Sequence, residues 1–375
     1  MTRRTKILGG IFGILAAAVL SLALVLSHDS ACGPPGAVPG QTTLMKAIRY
    51  RCYGSPEVLQ LEEVARPTPA DDEVLVKVQA ASVNPLDWHY MRGKPYIMRL
   101  SSGIGRPTDP RFGVDFAGTV EAVGKNVQRF KPGDEVFGGK SGALAEYVTV
   151  REGRALALKP ADISFEEAAA VPIAAITALQ AVRDKGQVKP GQKVLVNGAS
   201  GGVGTFAVQI AKAYGAEVTG VSSTRNVELV RSLGADHVID YKRQDFTRGA
   251  QRYDVIIDNV GNHPLLAYRR VLEPDGIVVM VGGPSEDPWI GPLARPIRAA
   301  VLSPFVSQRF AMLMAELNPE DMGVLRDLLA AGKLKPVIDR RYTLPEVPAA
   351  IAYLEEGRAR GKVVIDVAGP RPAVH

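Results

Sequence analysis

The residues Asn197-Gly198-Ala199-Ser200-Gly201-Gly202-Val203-Gly204 offer bare backbone amides rather than acids, bases or metal ligands. Glycine lets a chain turn sharply and lets an anion approach peptide N–H groups closely. A helix that starts near Gly202 would aim its unpaired amides and positive dipole end at such an anion. Two features beyond the loop restrict which anion. Val194-Leu195-Val196 precedes it as a short β-branched run, and Glu217-Val218-Thr219-Gly220-Val221 follows at the distance of a second strand. That strand–glycine turn–helix–strand context is what a dinucleotide pyrophosphate requires. The second strand leads into Ser222-Ser223-Thr224-Arg225, with no acid. An NAD site usually places Asp or Glu there for the ribose 2′-hydroxyl, whereas hydroxyls and a guanidinium attract a 2′-phosphate. NADPH is therefore the expected cofactor, held by Ala199, Ser200, Gly201, Gly202, Val203, Ser222, Ser223 and Arg225. Ser223 or Thr224 can also cap the helix that follows, a role compatible with phosphate binding.

The elements that must position this loop are legible from about Ile163 onward. Phe165 to Val182 reads as helical, kinked or divided at Pro172. Strands at Val194–Val196, Val218–Val221, Val238–Ile239, Val255–Ile257 and Ile277–Val281 then alternate with helices at Thr205–Tyr214, Asn226–Leu233 and Pro264–Leu272. Such alternation predicts a right-handed, doubly wound parallel sheet. The stretch from Gly283 to about Asn318 carries no clear pattern. Before this region, alternating stretches such as Glu73–Val78 and Thr119–Val123, with recurrent Gly and Pro, read as a compact β-rich domain. The last strand, Lys362–Val367, is expected to return to that first domain.

The whole chain has 375 residues, enough for two globular domains plus extras. Its net charge is +6, and Arg3, Arg4 and Lys6 supply three of those charges ahead of any domain. No other basic block exists, which argues against nucleic-acid binding. Only two cysteines occur, Cys32 and Cys52, too few for a disulfide framework or a cysteine-rich zinc cluster; a Cys32–Cys52 bridge stays open for an oxidising compartment. Ile7 to Leu26 is an uncharged, mostly apolar run, and ~20 such residues suffice to span a bilayer. The run is longer than a signal-peptide core and lacks a clear cleavage site, so an uncleaved single-pass anchor and a membrane location are expected. The cationic flank puts the N-terminus in the cytoplasm and the folded domains outside it, in tension with cytoplasmic NADPH, and the membrane side stays open. Gly33–Gln41, rich in Pro and Gly, reads as a linker.

Taken together, these residues resemble the medium-chain dehydrogenase/reductase superfamily and its zinc-free quinone oxidoreductase-like branch. The landmarks are Tyr53–Leu59, Ser82–Asp87, Gly113–Gly118, Gly133–Gly138, Gly142–Tyr147, the glycine loop, Leu233–Asp236 and Gly361–Val364. They span about Met45 to Val367. The resemblance implies an α/β architecture in which a GroES-like β domain (45–162 and 318–375) is split around a Rossmann domain (163–317). Residues 1–44 hold the anchor and linker. It also implies a homodimer, Tyr241 near the adenosine, and Thr177, Asn259 and Val281 near the nicotinamide. The three slots that hold catalytic zinc in alcohol dehydrogenases of the superfamily contain Asn84, Val114 and Ile173 here; two are aliphatic and cannot ligate a metal.

Without a Lewis acid, the expected reaction is hydride transfer from NADPH to an electron-poor small molecule, a quinone or an α,β-unsaturated carbonyl. The protein would then stabilise a developing enolate or quinol oxygen by hydrogen bonding. Asn84 is the first candidate, because its amide donates without titrating, and Tyr53 is the second. Asn84 also precedes Pro85 and can brace a loop instead. The rival readings are a metal-free carbonyl reductase or alcohol dehydrogenase, and a non-catalytic NADPH-binding redox sensor. Turnover with an added acceptor separates the sensor from the enzymes.

Overall fold

The structure, a computed structural model, describes residues 17–36, 40, 43–284 and 287–369. Its central sheet has six parallel strands, in the order β10-β9-β8-β11-β12-β13. These are β8 (Lys193–Asn197), β9 (Glu217–Ser222), β10 (His237–Asp240), β11 (Tyr253–Asp258), β12 (Leu272–Met280) and β13 (Arg309–Met312). Helices cover both faces, so the inner strands are apolar almost without interruption rather than alternating. Val194 and Val196 of β8 pack with Phe206, Ile210, Val218 and Ile257 on one face. Leu195, pointing the other way, packs with Val221, Ile256, Tyr268 and Val278. All these strands end at one edge, where the glycine loop leaves β8.

Two further sheets form the GroES-like part. In one, β1 (Leu44–Arg49) pairs antiparallel with β2 (Gln60–Ala65). The other has seven strands, and its path is β14-β15-β3-β4-β5-β7 with β6 added on β3. They are β3 (Glu73–Val83), β4 (Asp115–Val123), β5 (Glu135–Gly139), β6 (Tyr147–Arg151), β7 (Leu156–Leu158), β14 (Ile338–Thr343) and β15 (Lys362–Asp366). The terminal strand β15 thus returns to the first domain as expected, antiparallel to β3 with Val363 opposite Val83.

Pro172 divides the helical stretch as its chemistry requires. One helix runs Phe165–Ala169 and the next Pro172–Gln180, with the proline in its first turn, where no N–H is needed. Ser164 and Glu167 cap the first reciprocally: Glu167 N–H donates to Ser164 Oγ (3.1 Å), and Ser164 N–H donates to the Glu167 carboxylate (2.8 Å). The unpatterned stretch after Gly283 holds a helix, Ala294–Leu302, and the edge strand β13. That strand is four residues long and no more than half-buried, so it carries no two-residue periodicity to read.

The expected transmembrane anchor is corrected by the structure. Among the described residues no helix is long and apolar enough to cross a membrane, and the single-pass membrane localisation falls with it. The first part of the Ile7–Leu26 run lies outside the described residues. Residues 17–27 are helical, and the end of that helix docks on protein. Leu26 is buried, and Arg99, itself 1% exposed, donates to the carbonyls of Leu26 (2.9 Å) and His28 (3.0 Å) and to the Asp29 carboxylate (2.7 Å). Ser30 N–H donates to Gly105 O, and Cys32 is disulfide-bonded to Cys52. Protein covers the end of the described helix alone: Val19, Leu20, Leu22, Leu24 and Val25 are exposed, while Leu26 and the residues after it meet a buried arginine some seventy residues downstream.

Candidate active site

The glycine loop opens the helix Gly202–Ala213, and no side chain caps that helix start. Its glycines divide by surroundings. A Cβ on Gly204 would lie 2.0 Å from Gly198 O, so this position must be bare for the loop to close on the helix. A Cβ on Gly201 or Gly202 would meet nothing nearer than 3.5 Å and 3.4 Å respectively. The first-turn amides stand at the carboxyl edge of the parallel sheet with no side chain capping them, the geometry that receives a pyrophosphate. Ser200 is held from outside the loop: Asn226 Nδ2 donates to Ser200 Oγ (2.9 Å). Asn226 marked only the start of a helix in the sequence, and its part in the cradle was not legible there.

At the end of β9, Ser222 and Ser223 are buried and Arg225 is exposed, with its Nη2 donating to Arg358 O (2.7 Å). Tyr241, 55% exposed, lies alongside, its N–H donating to Ser222 O (3.0 Å). Thr224 Oγ1 donates to Asp240 (2.7 Å), a bond that holds that carboxyl below its usual range. No carboxylate stands in Ser222–Arg225 itself, so the residues fit a phosphorylated ribose.

The other end of the crevice is built on Asp258. This fully buried carboxylate accepts from Tyr268 Oη (2.7 Å), Asn197 Nδ2 (2.9 Å) and Gly261 N–H (2.9 Å), and pairs with Arg295 (2.7 Å). The network fixes Asn259, whose Nδ2 donates to Asn197 O (2.9 Å) and whose Oδ1 is buried without a partner among the described residues. That orphan acceptor suits an amide donor such as a carboxamide. Val281 N–H donates to Asp258 O (3.0 Å), and the Thr177 hydroxyl is turned back to its own helix at Ile173 O (2.6 Å).

Asn84 caps the helix Pro85–Arg92 and is 2% exposed. Its Nδ2 donates to Asp115 Oδ2 (2.9 Å), and its Oδ1 accepts from Lys362 Nζ. These two partners fix which end of the amide is which. Asp115 also accepts from Ser82 Oγ (3.0 Å) and Ile173 N–H (3.0 Å), and pairs with Lys362 (3.2 Å). Asp87 accepts the Asn84 N–H (2.7 Å); burial, reinforced by the Asp115 charge, pushes its carboxyl up to about 7 against the opposing Asn84 and Lys362 contacts. Tyr53 has a different set of partners. Its hydroxyl donates to Gly103 O (2.7 Å) and lies 2.9 Å from Ser102 Oγ, with Arg99 against its ring; burial raises its pKa. The single phenolic proton is thus committed to the protein. Asp115 and Lys362 were visible in the sequence only as members of the Gly113–Gly118 and Gly361–Val364 landmarks, because β4 and β15 bring them to Asn84 from 31 and 278 residues away.

Of the three slots expected for a catalytic metal, Asn84 is engaged as above, and Val114 and Ile173 have aliphatic side chains; the Val114 carbonyl accepts from Lys140 N–H (2.9 Å), and the Ile173 N–H and carbonyl are bonded to Asp115 and Thr177. Among the described residues no group of His, Cys, Asp and Glu could hold a metal ion. The donor set does not fit zinc.

Two family models match: an alcohol dehydrogenase GroES-like domain over residues 70–161, and a zinc-binding dehydrogenase over 233–365. The chain is 37% identical over 362 residues to 2-methylene-furan-3-one reductase of Solanum lycopersicum, covering 92% of this chain and 85% of that one. It belongs to the medium-chain dehydrogenase/reductase superfamily. The NADPH-dependent alkenal/one oxidoreductase of Arabidopsis thaliana chloroplasts is also 37% identical, over 86% of this chain and 79% of its own. The quinone oxidoreductase of Coxiella burnetii superposes with a TM-score of 0.75 at 32% identity, over 87% of this chain and all of that one.

Proposed function

We propose that this protein transfers hydride from NADPH to a quinone or an α,β-unsaturated carbonyl without a metal ion. The observation that carries this reading is the pairing of an amide-lined, uncapped helix start with aliphatic residues in two of the three zinc slots. Relatives named for alkenal, enone and quinone reduction support the acceptor class. When bound, NADPH supplies the hydride, and the chain supplies placement and electrostatics. The free amides from Gly202 onward receive the pyrophosphate, and Ser222, Ser223 and Arg225 the 2′-phosphate. Asn259 and the strand ends at Asp258 and Val281 frame the ring.

The oxygen that gains charge as hydride arrives needs a fixed donor. Asn84 Nδ2 has two hydrogens and spends one on Asp115. The second is available to the substrate oxygen, and solvent delivers the final proton. Tyr53, its proton bound to Gly103, serves to hold the wall formed by residues 99–103. A homodimer extended at the edge strand β13 fits the exposure of Phe305 and Met314 beside it. The test is NADPH oxidation in the presence of a quinone or an enone. Acceptor-dependent turnover supports the reading; NADPH binding without turnover identifies a sensor.

A further inference from the structure

We infer that Lys362 is a positioning residue that serves both halves of the site, its ammonium orienting Asn84 and its stem backing the cofactor loop. The inference rests on the proposed hydride transfer. Lys362 is the first residue of β15 and is 3% exposed. A buried ammonium is costly unless every proton is met. Here Nζ reaches Asn84 Oδ1, Asp115 Oδ2 (3.2 Å) and Val83 O (3.4 Å). Three protons thus have three acceptors, and all of them belong to the GroES-like part.

The preceding residue reaches the other half. Gly361 N–H donates to Ser200 O (2.9 Å), and Gly361 and Gly201 form an isolated parallel bridge. Gly361 has φ +89°, and a Cβ there would lie 2.3 Å from Val337 O, so only glycine makes this turn. The turn delivers the Lys362 Cδ to 3.4 Å from where a Gly202 Cβ would stand, behind the first residue of the cofactor helix. One side chain therefore runs from the phosphate cradle to the amide that faces the reacting oxygen.

Two consequences follow. The ammonium on Oδ1 polarises the Asn84 amide and strengthens its Nδ2 hydrogens as donors. It also forbids the flipped amide, which would turn its oxygen toward the developing negative charge. The methylene stem, independently, keeps Gly202 at its distance from the GroES-like sheet.

The two roles separate by substitution. Lys362→Met keeps the stem and removes the charge, so kcat should fall by about tenfold to a hundredfold while NADPH affinity, read by fluorescence titration, stays within about twofold. Lys362→Ala removes both and should weaken NADPH as well. Because Lys362→Met leaves Asp115 buried and unpaired, the charge-balanced pair Lys362→Met with Asp115→Asn is measured beside it and should show the same split. Added to Asn84→Ala, Lys362→Met should cost little more, since both act through one amide. Wild-type kcat in the methionine variants, or full additivity with Asn84→Ala, would overturn the ammonium role. Equal NADPH affinity in the methionine and alanine variants would overturn the stem role. Absence of acceptor-dependent turnover in the wild type would instead defeat the proposed reaction, and the binding comparison would still report on the stem.

Discussion

Replacing Asp87 by Asn should remove a pH dependence from stability and make the protein more stable at alkaline pH. Asp87 is 2% exposed at the start of the helix Pro85–Arg92, and its carboxylate has one short bond, from Asn84 N–H (2.7 Å). Burial raises its pKa from 3.8 to about 7, helped by Asp115 and opposed by Asn84 and Lys362. A shift of roughly three units corresponds to about 4 kcal/mol, at 1.36 kcal/mol per unit. The sign follows from proton linkage. Between about pH 4 and pH 7 the folded protein keeps the proton that the unfolded chain has released, so stability falls across that window and levels off above it. Asparagine can accept the same N–H and carries no charge. The variant should match the wild type near pH 4 and exceed it at pH 8 by an amount approaching that ~4 kcal/mol. Other carboxyls act in the opposite direction; Asp109, where the Arg111 bonds outweigh partial burial, is held low. The quantity to measure is therefore the difference between variant and wild type in urea unfolding at pH 4.5, 6 and 8. A difference that does not grow with pH, or a variant less stable at pH 8, would refute the placement of an isolated buried carboxyl here.

Three further outcomes are expected. Asn84→Ala should lower kcat by about tenfold or more and leave NADPH affinity nearly unchanged, as the proposed placement of its amide on the substrate oxygen requires; an unaltered turnover number in steady-state assays would remove Asn84 from the reaction. Arg225→Ala should weaken NADPH by about tenfold to a hundredfold and leave NADH within about twofold, the loss expected of one charge-assisted phosphate contact of about 1.5–3 kcal/mol; equal weakening of both in titrations would show that Arg225 does not read the 2′-phosphate. Arg99→Met should strip donors from the carbonyls of Leu26, His28 and Gly93 and lower the unfolding free energy by about 2–4 kcal/mol, with protease cleavage appearing first near residues 26–36; wild-type stability and protection would contradict the docking of that segment.

What the sequence disclosed and what it withheld divide along the range of the interactions. The strand β8, the glycine turn and the helix Gly202–Ala213 are specified by neighbours: β-branched residues, glycines, then a helical apolar period. The break at Pro172 is equally local. Asn84 was singled out as an amide beside a proline; it stands at the N-cap of the helix Pro85–Arg92, and its part in the reaction is the proposal made above. Its governors, Asp115 and Lys362, act across the sheet formed by β4, β3 and β15, and no local pattern encodes that register. The N-terminal run shows the same limit. Its hydropathy resembled a membrane span, whereas its end at Leu26 is buried and Arg99 donates to the Leu26 and His28 carbonyls and the Asp29 carboxylate. β13 was missed because a short, half-buried edge strand has no repeating signal.

The most direct test of the account is the rate of NADPH oxidation by the full chain, before and after exhaustive chelation, with a quinone or an enone as acceptor. The account predicts turnover that requires the acceptor, prefers NADPH over NADH and survives the chelator unchanged. Turnover abolished by chelation and restored by zinc, or tight NADPH binding with no acceptor-dependent oxidation, would contradict it.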